Sequence, residues 1–364
     1  MTKNDHPMKD GLETGCLNGE CVQIPDGREL YLYGPWSGSP SWPHLTEPKQ
    51  KNTAHSRWHP LRQEWVTYAA ARQNRTYKPP ANSCPLCPNA PGGELPLDAF
   101  TIAVFENRFP SFQIQNEFAP DLSSHDLQTK PAKGRCEVVV YCSAHEGNLS
   151  SIPQENRELL LKVWGARRQA LLTHDEISFV MPFENRGEDA GVTLHHPHGQ
   201  IYSFEELPSI PARMADSFTK GYSLHDQISK CPEQTVIDTP TASAFVPPFA
   251  RFPYECWLLP KTFHPAPDHM SEQEIGDMAL LLQRMVKLYD TFFKRPCPYV
   301  MIVYMAPKGM EDVFPFHIQF YPFLRSTDRL KYLAGCEQGA GSFLVDVLPE
   351  IAASDLRNAG ESLS

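Results

Sequence analysis

A chain of 364 residues with 33 Lys and Arg against 43 Asp and Glu, a formal net charge of −10, has the length for two domains or one large one. Its acidity argues against general nucleic-acid binding, which favours a basic face, while leaving room for a small nucleotide held by a few arginines. No apolar run approaches a membrane span, and no secretory pattern follows the polar start. Most of the ten cysteines stand alone, as buried thiols do in a reducing compartment, so the expected location is cytoplasmic, with no nucleic-acid and no membrane partner.

In chain order, residues 1 to about 20 read as a disordered start, and a metal or disulfide role for Cys16 and Cys21 is disfavoured there. Asp26-Gly27 is a turn signal ahead of an alternating strand, a hairpin within an N-terminal extension over 1–56. A short strand is expected at 57–66. Arg72 and Arg75 follow, three apart, so one helical turn or tight loop aims both guanidiniums at one target. Phosphate is the natural one, because the planar fork binds oxyanions in bidentate fashion. The plainer reading is two solvated arginines. Cys84-Pro85-Leu86-Cys87 is either redox-active or half of a zinc site. No thioredoxin-like pattern surrounds it and no second such pair follows. Structural zinc completed by two distant ligands, histidine being the obvious type, is preferred over two buried thiols.

Strands are expected at 99–105, before a turn through Glu106-Asn107-Arg108-Phe109-Pro110, and at 136–141, leading to His145. Leu159, Leu160, Val163, Trp164 and Leu171 recur at helical spacing, so 154–173 reads as a helix with a core stripe. A strand at 177–181 and a polar turn carrying Asn185, Gly187 and Gly191 lead to Thr193-Leu194-His195-His196-Pro197-His198-Gly199-Gln200. The alternation of Ile201-Tyr202-Ser203-Phe204 continues that segment as a strand. Extended backbone puts His196 and His198 on one face with Gln200 beside them, and Pro197 stiffens the main chain between the rings. Two imidazoles and an amide on one face suit a phosphate; the bland reading is a His-rich surface loop.

Residues 206–240 read as loop-rich. After them the same elements recur: a strand at 255–260 ending near His264, a helix at 271–293, and strands at 299–304 and 316–322. The helix carries Ile275, Met278, Leu281, Leu282, Met285 and Leu288 on one stripe. His145 then falls on His264, and His198-Gly199-Gln200 on His317-Ile318-Gln319, with the histidines 53 positions apart in both halves (198 − 145 and 317 − 264). Tyr202 falls on Tyr321. The expectation is a duplicated strand–helix–strand–strand unit, with halves 57–210 and 211–364. The chemistry belongs to the first half, because position 315 is Pro where the first has His196, and no C-x-x-C precedes the second.

With these residues in view, the chain resembles the galactose-1-phosphate uridylyltransferase family, a branch of the histidine-triad superfamily. His196-Pro197-His198-Gly199-Gln200 carries the resemblance. Arg57…Trp65-Val66, Cys84-x-x-Cys87, Val104-Phe105-Glu106-Asn107-Arg108-Phe109, Phe183-Glu184-Asn185-Arg186-Gly187 and Lys331-Tyr332-Leu333-Ala334-Gly335-x-Glu337 support it, across about residues 22–358. It implies an α+β fold: a duplicated histidine-triad-like unit whose antiparallel half-barrel sheet is flanked by helices.

The resemblance further implies that His198 is a nucleophile toward the α-phosphorus of UDP-glucose. Glucose 1-phosphate leaves, and a hexose 1-phosphate, galactose 1-phosphate, takes the uridylyl group from the histidine. Gln200 matches an amide that donates to phosphoryl oxygens; it cannot act as a base, so transfer is favoured over hydrolysis. By the same matching Thr193 and Asn185 meet phosphate, Arg72 and Arg75 the nucleotide phosphates, and Asn107 with Arg108 the uridine. Lys331 and Glu337 fall at hexose contacts given by a partner subunit, which implies a homodimer with shared active sites. One structural Zn2+ per chain is implied at Cys84, Cys87, His145 and His196, bracing the nucleophile. Two departures stand out. Some relatives carry a second site, commonly iron, of one Glu and three His; here only His317 matches, beside Met214, Tyr304 and Gln319, so no iron site is expected. Arg108 sits where several relatives have an acidic residue near the ribose. The competing functions are an ADP-sugar or dinucleoside-polyphosphate phosphorylase with the same nucleophile, or transfer to another sugar 1-phosphate. A non-catalytic zinc module is disfavoured by the presence of His198, Gln200 and both arginines.

Overall fold

The computed structural model describes residues 17, 19–45, 52–74, 79 and 83–361. The expectations for Cys16 and Arg75, and most of those for the first twenty residues, lie outside the described residues. The chain forms two compact units that interleave in sequence. The first takes the described residues up to Glu146, then Lys162–Val180 and His196–Arg213; the second takes Gly147–Leu161, Met181–His195 and the described residues from Met214 onward.

In the first unit β1 (Glu20–Gln23) and β2 (Glu29–Ser37) pair around Asp26-Gly27. Gly27 has φ +87°, a left-handed backbone that costs a glycine nothing. The strand expected at 57–66 is instead a hairpin, β3 (His55–His59) and β4 (Glu64–Tyr68). Its turn through Pro60-Leu61-Arg62-Gln63 lacks a glycine signal and places Gln63 at φ 53°. Then come β5 (Ala99–Glu106), the short β6 (Thr129–Pro131), which pairs with β3, and β7 (Gly134–Val140). After α1 (Gln154–Leu172) and β8 (Phe179–Arg186), β9 (His198–Phe204) returns to pair with β7. The strand order is β1-β2-β5-β7-β9, antiparallel throughout.

The part of α1 in this unit buries Val163, Trp164 and Leu171, as its spacing predicts. Its Arg167 forms a bidentate pair with Glu137 of β7 at 2.9 and 2.6 Å, and Arg135 adds a third contact at 2.9 Å. Burial alone would push the Glu137 carboxyl up; the two guanidiniums hold it below its ordinary range. This pair pins the strand beside β9 to the helix. Removing one partner would leave a buried charge without its counter-ion.

Two strand boundaries differ from expectation. β8 runs to Arg186, so Asn185 is a strand residue opposite Val300 rather than part of the turn. β9 begins at His198, so His196 lies in a bend before it, and the two-residue alternation does not govern its ring.

The second unit holds α2 (Ser209–Thr219) from Met214 onward, α3 (Leu224–Lys230), β10 (Thr235–Asp238), β11 (Ala242–Phe245), β12 (Cys256–Pro260) and α4 (Glu272–Phe292). It continues with β13 (Tyr299–Tyr304), β14 (His317–Pro322), the short β15 (Leu324–Ser326) and β16 (Arg329–Leu330), α5 (Gly335–Ala340) and α6 (Pro349–Glu361). Its strand order is β8-β13-β14-β12-β11-β10. The passage expected to be loop-rich therefore contains two helices and a strand. Pro208 and Pro211 look like loop punctuation, yet a helix's first turn tolerates proline because its N–H groups have no intrahelical partner. Ser223 caps α3 by accepting from the Asp226 N–H at 3.1 Å.

A capping box of Ser271 and Glu274 opens α4. The helix buries Ile275, Met278, Leu281, Leu282, Met285 and Leu288, each burial stabilising by about 1.5–3 kcal/mol. The repeat is visible in the pairing. Gln200 stands opposite Val138 and Gln319 opposite Trp257, the same displacement of 119 on both strands (257 − 138 and 319 − 200). The fold is α+β with antiparallel sheets, as expected. Among the described residues no helix is long and apolar enough to cross a membrane.

Candidate active site and metal centre

His198, Gln200, Tyr202 and Phe204 share one face of β9 and are half-buried, while Gly199, Ile201 and Ser203 are buried on the other. His198 Nδ1 lies 2.7 Å from the His196 carbonyl oxygen. A carbonyl only accepts, so Nδ1 carries the proton and Nε2 keeps its lone pair. Burial pushes the ring's pKa down, against the raising effect of that same bond, so the neutral nucleophilic form holds near pH 7.

His196 turns the opposite task to account. Its Nε2 lies 2.8 Å from the Cys142 carbonyl and therefore donates to it, leaving the Nδ1 lone pair facing Cys87 Sγ at 3.5 Å. His145 Nδ1 is 3.2 Å from the same sulfur. The ligand atoms of Cys84, Cys87, His145 and His196 all lie within 4.8 Å of one another. A tetrahedral ion with metal–sulfur bonds of about 2.3 Å and metal–nitrogen bonds of about 2.0 Å has ligand–ligand edges of roughly 3.5 Å, so the spacing fits. Burial and the neighbouring Cys84 push the Cys87 thiol up to about 11, and a cation would stabilise the thiolate pair. Among the described residues this is the one Cys, His or carboxylate cluster able to hold a metal ion.

Arg72 sits on a short 3-10 turn, Ala70–Asn74, and its Nη1 donates to the Tyr202 hydroxyl at 3.2 Å and the Phe109 carbonyl at 3.3 Å. Asn107 follows β5 in the same unit; its side-chain oxygen accepts from the Phe109 N–H at 2.8 Å and shapes the turn. Arg108 is exposed, 5.9 Å from the Phe109 ring. Asn185 and Thr193 belong to the second unit, where Asn185 donates to the Ala190 carbonyl at 3.3 Å. Lys331 and Glu337, also there, are buried and paired at 2.5 Å. The ammonium and the N–H groups of Ala334 and Leu344 hold the Glu337 carboxyl down at about 2. In the second unit His317 is stacked on Tyr304 with ring centroids 5.1 Å apart, and Gln319 bonds to it at 3.0 Å.

The galactose-1-phosphate uridyl transferase N-terminal domain matches residues 44–208, and the C-terminal domain of the same family matches 216–364. The chain belongs to this family. The galactose-1-phosphate uridylyltransferase of Thermotoga maritima is 36% identical over 314 residues, covering 83% of this chain and 97% of its own. That of Streptomyces lividans is 30% identical over 363 residues, covering 93% and 97%. A solved uridylyltransferase structure superposes with a TM-score of 0.73 at 26% identity, over 85% of this chain and 99% of that one. An Arabidopsis thaliana ADP-glucose phosphorylase with bound ADP-glucose shares the fold at a TM-score of 0.64 and 22% identity, over 84% and 98%. The family is one of enzymes, transferases of nucleotidyl groups in galactose metabolism, and this chain is a member of it.

Sequence reasoning left two participants unassigned. The Cys142 carbonyl that fixes His196 is a main-chain group with no residue-type signal. Tyr202 had one: four positions after His198 on an alternating strand puts it on the same face.

Proposed function

We propose that this enzyme moves UMP from UDP-glucose to galactose 1-phosphate through a covalent uridylyl group on His198. The observation that carries the reading is the His198 ring, locked at Nδ1 by the His196 carbonyl, with Nε2 unprotonated on a half-buried strand face beside Gln200. Nε2 attacks the α-phosphorus; the bond to the bridging oxygen breaks, and glucose 1-phosphate departs with the electron pair. The ring becomes cationic, and the Nδ1–H bond to the carbonyl stabilises that charge. A phosphate oxygen of galactose 1-phosphate then attacks phosphorus from the other side. The N–P bond breaks, UDP-galactose leaves, and the imidazole is neutral again.

The Gln200 amide donates to the phosphoryl oxygens and has no basicity with which to recruit water, so the adduct waits for a sugar phosphate. Arg72 and Arg75 hold the nucleotide phosphates, Asn185 and Thr193 the transferred phosphate, and Asn107 with Arg108 the uridine. Lys331 and Glu337 serve the hexose through a second copy of the chain, in a homodimer in the cytoplasm. Zinc is the cation suited to Cys84, Cys87, His145 and His196, which would hold it with four protein ligands, and its binding would stabilise the fold. His196 gives its ring to that cluster and its carbonyl to His198, so bracing one orients the other.

The test is incubation with UDP-glucose alone. A mass gain of one uridylyl group at His198, discharged by galactose 1-phosphate, is the expected result. An adduct formed from ADP-glucose and not from UDP-glucose would assign the enzyme to the phosphorylases instead, and no adduct from either would remove the covalent step.

A further inference from the structure

The arginine assigned to the nucleotide phosphates is itself held by a residue that no sequence motif names. Arg72 Nη1 donates to the Tyr202 hydroxyl at 3.2 Å and to the Phe109 carbonyl at 3.3 Å. A guanidinium Nη carries two hydrogens, so these bonds engage both and leave the Nε–Nη2 edge as the remaining fork. That paired edge is the one suited to gripping an oxyanion in bidentate fashion. Without the two acceptors the guanidinium could turn about its last torsions and present any edge.

Tyr202 is well placed to impose the choice. It stands on β9 opposite Cys136, on the same face as His198 and Gln200. Phe112 packs edge-on against its ring at 6.1 Å, and Phe204 lies at 6.4 Å, so the ring has little freedom. Burial pushes the phenol up to about 12, which keeps it a neutral acceptor at working pH. Four strand residues put it about 13 Å from His198, too far to touch the reacting phosphorus. Its influence is therefore on how the nucleotide is held.

We propose that Tyr202 is a positioning residue: by accepting from Nη1 it orients Arg72 so that the Nε–Nη2 edge meets the phosphates of the bound nucleotide. This rests on the uridylyl-transfer reading. Tyr202→Phe keeps the ring and its packing and removes the hydroxyl, which accepts from Arg72 and also meets the Cys136 thiol. In the transfer assay its KM for UDP-glucose rises about tenfold, the scale of one hydrogen bond to a charged group, while kcat stays within about twofold. The melting temperature stays at that of the wild type. In an Arg72→Met background, where no guanidinium remains to be oriented, Tyr202→Phe adds nothing, because the two residues act as one unit. An unchanged KM, a loss confined to kcat, or an equal penalty in both backgrounds overturns the proposal. Wild-type protein that forms no uridylyl adduct with UDP-glucose overturns the parent reading, and this proposal with it; a normal wild-type adduct with an indifferent Tyr202→Phe overturns this proposal alone.

Discussion

Strands β9 and β14 carry the same three residues at the same spacing, His198-x-Gln200-x-Tyr202 and His317-x-Gln319-x-Tyr321. Both histidines are locked in the same tautomer, Nδ1 donating to the carbonyl two residues back: His196 at 2.7 Å, Pro315 at 2.9 Å. There the likeness ends. On β14 the Gln319 amide donates to His317 Nε2 at 3.0 Å, and the Tyr321 hydroxyl donates to Gln319 Oε1. All three are buried, with Tyr304, Trp257 and Phe314 rings around the imidazole. On β9 the same face is half-buried, and the tyrosine is turned to Arg72. The histidine proposed as nucleophile and a core histidine thus differ in what covers the strand and what occupies one lone pair, and hardly at all in local sequence.

Three experiments can break or sharpen this contrast. The largest effect belongs to His198→Gly, expected to lose at least ~10⁴-fold in turnover as a covalent nucleophile does, with metal content and melting temperature unchanged. Retained turnover in steady-state assays would make the two strands equally inert. Next is Cys84→Ser, which removes a ligand from the cluster that fixes His196. Bound zinc should fall well below one per chain by elemental analysis, and the melting temperature should drop by ~10 °C or more, since coordination energy is coupled to folding. A full zinc complement in that variant would place the metal elsewhere.

The smallest effect tests the closed strand. Burial pushes His317 down to about 4 from an ordinary 6.5, so the unfolded chain takes up a proton at higher pH than the folded one. The stability this neutral ring contributes is full above pH 6.5 and is lost progressively as pH falls toward 4, about 3 kcal/mol in all. His317→Asn should flatten that part of the pH dependence in urea unfolding while leaving adduct formation at His198 intact. An unaltered slope between pH 6.5 and 4 would show that His317 is not the titrating group.

How legible the molecule was follows the range of the forces involved. Helical stripes such as Ile275-Met278-Leu282 and the duplicated spacing of His145 and His198 were readable, because periodicity is written locally. The α2 helix was hidden by Pro208 just before it and Pro211 in its first turn, and the β3–β4 turn by the lack of a glycine. The coming together of Cys84, Cys87, His145 and His196 had only a C-x-x-C to announce it from spacing; the histidines, 58 and 109 residues from Cys87, came through resemblance to a family. The role of His196 was also misjudged by alternation alone, since it precedes the strand.

By itself the sequence determined the two long helices and most of the strands, that one unit is written twice, and which side chains have the chemistry to hold a phosphate or a metal. Only the tertiary structure decided which of two equivalent histidines keeps an open lone pair, because exposure is set by residues such as Trp257, Tyr304 and Phe314 that are distant along the chain and adjacent only after packing. It also decided which Arg72 nitrogen is engaged within the protein, since the acceptors on Tyr202 and Phe109 reach it across 130 and 37 residues.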